Sequence, residues 1–164
     1  MSTLRCANCI EILVSKKTKC KSCGFNNKSN LNSRNCLRAG TILQDQYHIG
    51  KVLGQGGFGI TYLGFDETLG RKIAVKEHFP KHLVERSEDR VNVEFTSKSQ
   101  FNKGLIRFTE EAKLLARFQH HLHIVSVLHY FRLNNTAYMV MPFIEGRTLR
   151  SFLRKKSIKQ DLAI

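Results

Sequence analysis

Four of the five cysteines stand in two Cys-x-x-Cys pairs, Cys6-Ala-Asn-Cys9 and Cys20-Lys-Ser-Cys23-Gly24, inside the first 25 residues. A segment this short buries too little apolar surface to fold around a core, so something else must hold it. Two residues between cysteines let both sulfurs of one tight turn face a single ion. Two such turns complete a tetrahedral thiolate shell suited to Zn²⁺. Gly24 suits the backbone angles of the second turn, and metal binding would supply much of the segment's folding free energy. Cys6, Cys9, Cys20 and Cys23 are therefore the expected ligands of a structural Zn²⁺. Redox-active or simply buried thiols are the alternative, and Cys36 is left over as a free thiol.

Residues 1–25 read as a zinc-ribbon-like segment, with two departures: Ala7 where such ribbons often carry proline, and Ile10 in place of the glycine. In a chain without export signals, paired thiols at this spacing favour metal over disulfides. The start, Met1-Ser-Thr-Leu-Arg-Cys6, lacks the basic-then-apolar pattern of a secretory signal. The longest apolar run, 137–144, is far too short to cross a bilayer. A cytoplasmic protein without a membrane segment is the expectation. The net charge is +14, and the first 40 residues contribute half of it, eight Lys/Arg against the single acid Glu11. Such an excess suits nucleic acid, an acidic protein or a phosphate-bearing ligand, or only keeps the chain in solution.

Residues 26–40 are rich in Asn, Ser and Gly and read as a linker. Beyond it the pattern turns to strands. Tyr47-His-Ile-Gly-Lys-Val-Leu53 and Ile60-Thr-Tyr-Leu-Gly-Phe65 flank Gly54-Gln-Gly-Gly-Phe-Gly59. Strand, glycine-rich turn and returning strand make a hairpin whose bare backbone can approach a phosphate chain. A dinucleotide-binding fold would need a helix after the glycines, and 60–65 reads as a strand. A third strand, Lys72-Ile-Ala-Val-Lys-Glu77, fits the strand-borne V-A-I-K pattern whose lysine contacts the α- and β-phosphates of ATP.

With these elements in this order, residues 41–164 resemble the N-terminal lobe of a bacterial-type serine/threonine protein kinase. The similarity runs through Lys76-Glu-His-Phe-Pro80, Gly104-Leu-Ile-Arg-Phe-Thr-Glu-Glu-Ala112, His121-Leu-His-Ile-Val125 and Asn135-Thr-Ala-Tyr-Met-Val-Met141. On a wheel of about 100° per residue, Leu105, Phe108, Ala112, Leu114, Leu115 and Phe118 share one arc. Glu111 falls inside that arc, and a carboxylate on a buried face needs a partner. Lys76 is the candidate, and in the resembled family this ion pair holds the lysine against the phosphates. The connection before the helix, including 87–100, is polar with scattered apolar anchors. It is either an ordered insert or a mobile flap.

Two more strands, 126–132 and 136–141, around a Leu133-Asn-Asn135 turn complete a five-stranded antiparallel sheet with one main helix. The expected fold is α+β, a kinase N-lobe over 41–146 behind a small zinc ribbon, with the start of a second lobe over 147–164. The resemblance implies an ATP site made from Leu53, Gly54, Gln55, Gly56, Gly57, Phe58, Gly59, Thr61, Ala74 and Lys76. It also implies a hinge in which Met141 is the gatekeeper, the Pro142 carbonyl accepts from the adenine amine and the Ile144 N–H donates to the ring. Lys76 and Glu111 are the implied catalytic residues. Thr148 is placed to cap a short helix running to Lys156. The histidines near 120–129 lack fixed ligand spacing.

No His-Arg-Asp and no Asp-Phe-Gly follows the hinge, so the acceptor-orienting Asp and the Mg²⁺ ligands of the family are missing. The resemblance covers about three quarters of the chain but under half of a kinase of ~250 residues. Three readings follow. The first is the ATP-binding part of a serine/threonine kinase, shortened by a frameshift, a split gene or by design. That form is inactive alone and needs a separate C-lobe to bind Mg²⁺ and a protein substrate. The second is a non-catalytic kinase-like binding module. The third is a basic zinc-ribbon protein that binds nucleic acid.

Overall fold

The structure is a computed structural model and describes residues 3–15, 19–27, 32–118 and 121–153. Its centre is an antiparallel sheet. The strands are β1 (Ile42–Leu43), β2 (Tyr47–Gln55), β3 (Gly59–Asp66), β4 (Arg71–His78), β7 (His129–Leu133) and β8 (Thr136–Pro142). They lie in the order β1-β2-β3-β4-β8-β7. The five strands read from the sequence are all there, and β1 adds a two-residue edge. The strand expected from Ser126 begins at His129.

Alternation along the strands sorts the side chains. Ile60, Tyr62, Ile73, Val75, Tyr138 and Val140 point to one face and are fully buried. That face is covered by two segments whose order the composition concealed. The stretch between Lys76 and the helix holds a second hairpin, β5 (Val84–Arg86) and β6 (Val93–Phe95). The stretch read as a linker is anchored at Asn32, Cys36 and Leu37, which are buried: the Leu37 N–H donates to the Tyr62 hydroxyl at 3.1 Å. Its asparagine is structural. The Asn32 amide donates to the carbonyls of Leu37 (2.8 Å) and Gly50 (3.1 Å), and its oxygen accepts from the Val52 N–H. Arg90, from the loop joining β5 to β6, donates to the carbonyls of Asn32, Ser33 and Cys36.

Under this cover sits a charged knot. Glu77 is fully buried and accepts from the Arg86 guanidinium (2.6 Å), the Tyr62 hydroxyl (2.8 Å) and the Tyr138 hydroxyl (3.1 Å). Burial works against the Arg86 charge, but the Glu77 carboxylate overrides it and the guanidinium stays protonated. Three donors on one carboxylate meet the condition under which a buried charge is tolerated.

Helix α1 (Lys98–Ala116) buries Phe101, Leu105, Phe108 and Ala112, a stripe at helical spacing. It starts seven residues before the apolar arc recognised in the sequence, because 98–104 carry a single apolar anchor, Phe101. The buried stripe also ends early. Leu114 (53%) and Phe118 (40%) are exposed, although the wheel put them on the core side. Helix α2 (Leu149–Leu153) follows the hinge, and Thr148 Oγ1 accepts from the Ser151 N–H as an N-cap. The continuation of this helix to Lys156 lies outside the described residues.

Candidate nucleotide cleft and metal centre

The glycine-rich segment is the turn between β2 and β3, closed by Gly56 N–H donating to the Gly59 carbonyl at 2.9 Å. Gly54, Gly56 and Gly57 face open space, so their backbone is bare, and Phe58 is exposed at the tip. Gly59 has a different reason to be glycine. A Cβ there would stand 2.6 Å from the Glu77 carbonyl, so β3 could not approach β4 so closely.

Beneath this loop is a cavity of about 530 Å³ walled by the loop, Thr61, Lys76, His78, Gly104, Arg107, Phe108 and Glu111. Lys76 Nζ donates to Glu111 Oε1 at 2.6 Å, so strand and helix bring together the two groups paired from the sequence. Their setting differs from expectation. The side chains are 31% and 45% exposed, so the pair lies in an open cleft rather than under the helix. The buried stripe of α1 ends at Ala112, which leaves its neighbour Glu111 facing the opening.

Of the other residues expected at the site, Gly54, Gly56, Gly57, Phe58, Gly59 and Thr61 line the cavity. Leu53, Gln55, Ala74, Met141, Pro142 and Ile144 lie outside its wall. The register nevertheless puts Thr61 opposite Lys76 and Ala74 opposite Met141, so these four share one sheet face. Pro142 lies opposite Ile73, and Ile144 is exposed beyond the end of β8.

Sequence reasoning assigned no role to His78 or Gly104. His78 is buried, with its ring 4.9 Å from that of Phe101 and 5.4 Å from that of Phe108. A Cβ on Gly104 would come within 3.0–3.1 Å of the imidazole, so the glycine lets α1 settle on β4. The helix therefore meets β4 twice, at His78–Gly104 and, two turns on, at Lys76–Glu111. A half-exposed ion pair contributes little to stability, so the buried contact is the stronger hold. Burial lowers the His78 pKa and keeps the ring neutral. A glycine inside a helix, which costs stability unless packing needs it, was the available signal.

At the other end of the molecule the four paired cysteines converge. All four Sγ atoms lie within 4.8 Å of one another, with Cys6–Cys23 at 3.7 Å and Cys9–Cys20 at 3.5 Å. A tetrahedral thiolate shell with metal–sulfur bonds of about 2.3 Å requires sulfurs about 3.8 Å apart, so this cluster can hold a metal ion. The thiols are unequal. Burial raises the pKa of Cys6 and Cys9. Cys20 is lowered, chiefly by the Cys23 backbone N–H. Cys23 is lowered to about 6: its partial desolvation is outweighed by hydrogen bonds from Asn8 and the Phe25 N–H. Four such neighbours cannot all be thiolates without a cation among them.

The family described as the protein kinase domain matches residues 47–163, more than half of the chain. This chain belongs to the protein kinase family. It is 32% identical over 130 residues to a probable serine/threonine-protein kinase, YbdM, of Bacillus subtilis, covering 78% of this chain and 44% of the relative. It is 30% identical over 138 residues to the serine/threonine-protein kinase PknD of Protochlamydia amoebophila, covering 84% of this chain and 12% of that one. Among solved structures it resembles the apo form of PpkA-294, with a TM-score of 0.69 and 36% identity. That match covers 74% of this chain and 43% of the other. The chain thus spans less than half the length of the relatives it matches and corresponds to the N-terminal part of the kinase domain. The family uses ATP and Mg²⁺. Among the described residues no helix is long and apolar enough to cross a membrane.

Proposed function

We propose that this chain is the ATP-binding half of a serine/threonine protein kinase and that its N-terminal module carries one structural Zn²⁺ on Cys6, Cys9, Cys20 and Cys23. The observation that carries the nucleotide reading is the Lys76–Glu111 pair, 2.6 Å apart beneath a glycine loop with a bare backbone. In this reading the N–H groups of Gly57 and Phe58 donate to phosphate oxygens, while that of Gly56 closes the loop. Lys76 reaches the α- and β-phosphates and Glu111 holds it there. Leu53, Thr61 and Ala74 pack on the adenine, with Met141 behind it. The Pro142 carbonyl accepts from the adenine amine, a role for which proline needs no N–H, and Ile144 N–H donates to the ring.

ATP supplies the phosphoryl group, and its transfer to a protein hydroxyl rests on positioning and on neutralising charge with metal ions. The residues here secure the nucleotide side of that reaction. The Asp that orients the acceptor and the groups that hold Mg²⁺ must come from a C-terminal lobe, on the same polypeptide or a separate one. Reduced thiols at a zinc site suit a reducing compartment, and in this reading the protein works in the cytoplasm. With half of the cleft walls present, binding is weak, on the order of 1 mM, about −4 kcal/mol. Titration with ATP followed by NMR should move the Gly56–Phe58 amides first in the native chain and not in Lys76→Ala. A glycine loop undisturbed at high ATP would contradict the proposal. Labelled phosphate should reach a protein substrate only when a C-terminal lobe is added.

A further inference from the structure

The four-cysteine module has no part in the nucleotide chemistry, yet it is fastened to the strand that leads into the glycine loop. Its two turns are built alike. Cys6 N–H donates to the Glu11 carbonyl and Cys20 N–H to the Phe25 carbonyl, both at 2.8 Å. Ile10 N–H donates to Cys6 and Gly24 N–H to Cys20, at 2.9 and 2.8 Å. The residues that end the turns have φ of 71° and 72°. The second is glycine, as that region of backbone space favours. The first is isoleucine, which avoids it.

The reason for Ile10 lies in β2. Its side chain is only 1% exposed. A Cβ on Gly50 would fall 2.6 Å from Ile10 Cδ1 and 3.0 Å from the Ala7 carbonyl. A residue costly to its own turn thus fills the space that a missing side chain leaves open. Polar contacts flank this plug. Lys51 Nζ donates to Asn8 Oδ1 at 2.9 Å. Arg5 grips both oxygens of Glu67 (2.6 and 2.8 Å), lies 3.6 Å over the Phe65 ring and donates to the Ile10 carbonyl. The pairing of β2 with β3 is irregular at this point, shifting register between Ile49 and Val52 and again between Val52 and Gly54. A strand with irregular pairing depends on other contacts for its position. Gly54 is where the phosphate loop begins.

We propose that the module is a metal-dependent clamp on β2: a metal ion on the four cysteines shapes the turn that carries Asn8 and Ile10, these set residues 50–52, and those set the glycine loop. Metal occupancy and nucleotide affinity are then linked, and by reciprocity each ligand strengthens the other. This rests on the zinc and nucleotide readings above. It also accounts for the contacts of Asn8, Ile10 and Arg5 with residues 50, 51, 65 and 67.

The test uses the full chain with Zn²⁺ and ATP as probes. The dissociation constant for ATP and the positions of the 56–58 amides are measured by NMR before and after removal of zinc with a chelator. Removing zinc should weaken ATP binding at least about fivefold, the low end of ordinary coupling between sites, and should shift the loop amides even without ATP. Ile10→Gly separates the clamp from the metal site. Glycine suits φ near 71°, so zinc should bind at least as tightly, while the effect of zinc on ATP should fall below about twofold. Gly50→Val should uncouple the two in the same way by pushing Ile10 out. Loop amides and ATP affinity that ignore zinc in the native chain would overturn the clamp and leave the metal site standing. A chain that binds no zinc would overturn both. If ATP fails to bind, the nucleotide reading falls, and the zinc-dependent loop shifts still decide on the clamp.

Discussion

Among the described residues up to 27, the module's own buried cluster consists of Cys6, Leu13 and Cys20, with Leu4, Cys9 and Phe25 packed beside it. From Cys36 to Val140, by contrast, one continuous core includes Tyr62, Phe79, Phe101, Tyr138 and Met139. The first region has too little apolar surface to meet the entropy of ordering its chain, and the second has enough. On the proposed reading the module is held by ligation and by docking, the lobe by burial. A second contrast sits on adjacent residues of β4. Lys76 and Glu77 point to opposite faces, one into an open cleft with Glu111, the other into a dry knot with Arg86. The exposed pair is available for binding, and the buried pair holds the cover on the sheet.

The largest effect should come from removing the ligation. Cys20→Ser with Cys23→Ser should take bound zinc from one ion per chain to none, as native mass spectrometry would record. Apparent zinc-binding free energies in comparable small domains are about 10–16 kcal/mol, so residues 3–15 and 19–27 should lose their dispersed NMR signals while those of the sheet remain. Module signals that persist without metal would erase the contrast between the two regions.

Next comes the contrast on β4. Arg86→Met leaves the Glu77 carboxylate buried without its cation and should cost about 3–5 kcal/mol in urea unfolding. Glu111→Gln should change stability by no more than about 1 kcal/mol, because its pair is open to solvent, and should still weaken ATP binding. Equal losses for the two variants would show that exposure does not separate their roles.

A smaller effect is expected at the contact between α1 and β4. Gly104→Val forces a branched side chain against the His78 ring and should cost about 1–3 kcal/mol, the usual range for overpacking. It should also reduce the ATP-induced shifts, because Glu111 moves with the helix.

The least effect is the pH dependence. His78 is held neutral by burial, with its folded pKa below the ordinary value of about 6.5. Its contribution is complete above pH ~6.5 and lost as the pH falls, because the unfolded chain then binds the proton more readily. Glu67 is lowered by its hydrogen bond from Arg5, so docking of the module fades only at lower pH, below about 4.3. Urea midpoints between pH 7 and 5 should decline in the native chain and stay flatter in His78→Phe.

The strands and the glycine loop were legible because alternation and bare glycines are local signals. The four-cysteine cluster was legible because Cys-x-x-Cys spacing is a local signal too. The Lys76–Glu111 pair came from combining a strand position with a helix wheel, which located the contact and overstated its burial. The segments covering the sheet were not legible. Asn32 and Arg90 act through backbone carbonyls far along the chain, and a composition of Asn, Ser and Arg looks the same whether such bonds form or not. Ile10 was noted as a misfit in its turn, but its complement, Gly50, lies 40 residues away and carries no sign of the partnership.

Hydrogen exchange of the full chain, before and after zinc removal, tests most directly whether ligation holds one region and burial the other. Without zinc, amides of 3–15 and 19–27 should exchange at once, β3, β4 and β8 should stay protected, and residues 50–52 of β2 should loosen in between. A module that stays protected without metal, or a sheet that loses its protection together with the module, would contradict the account.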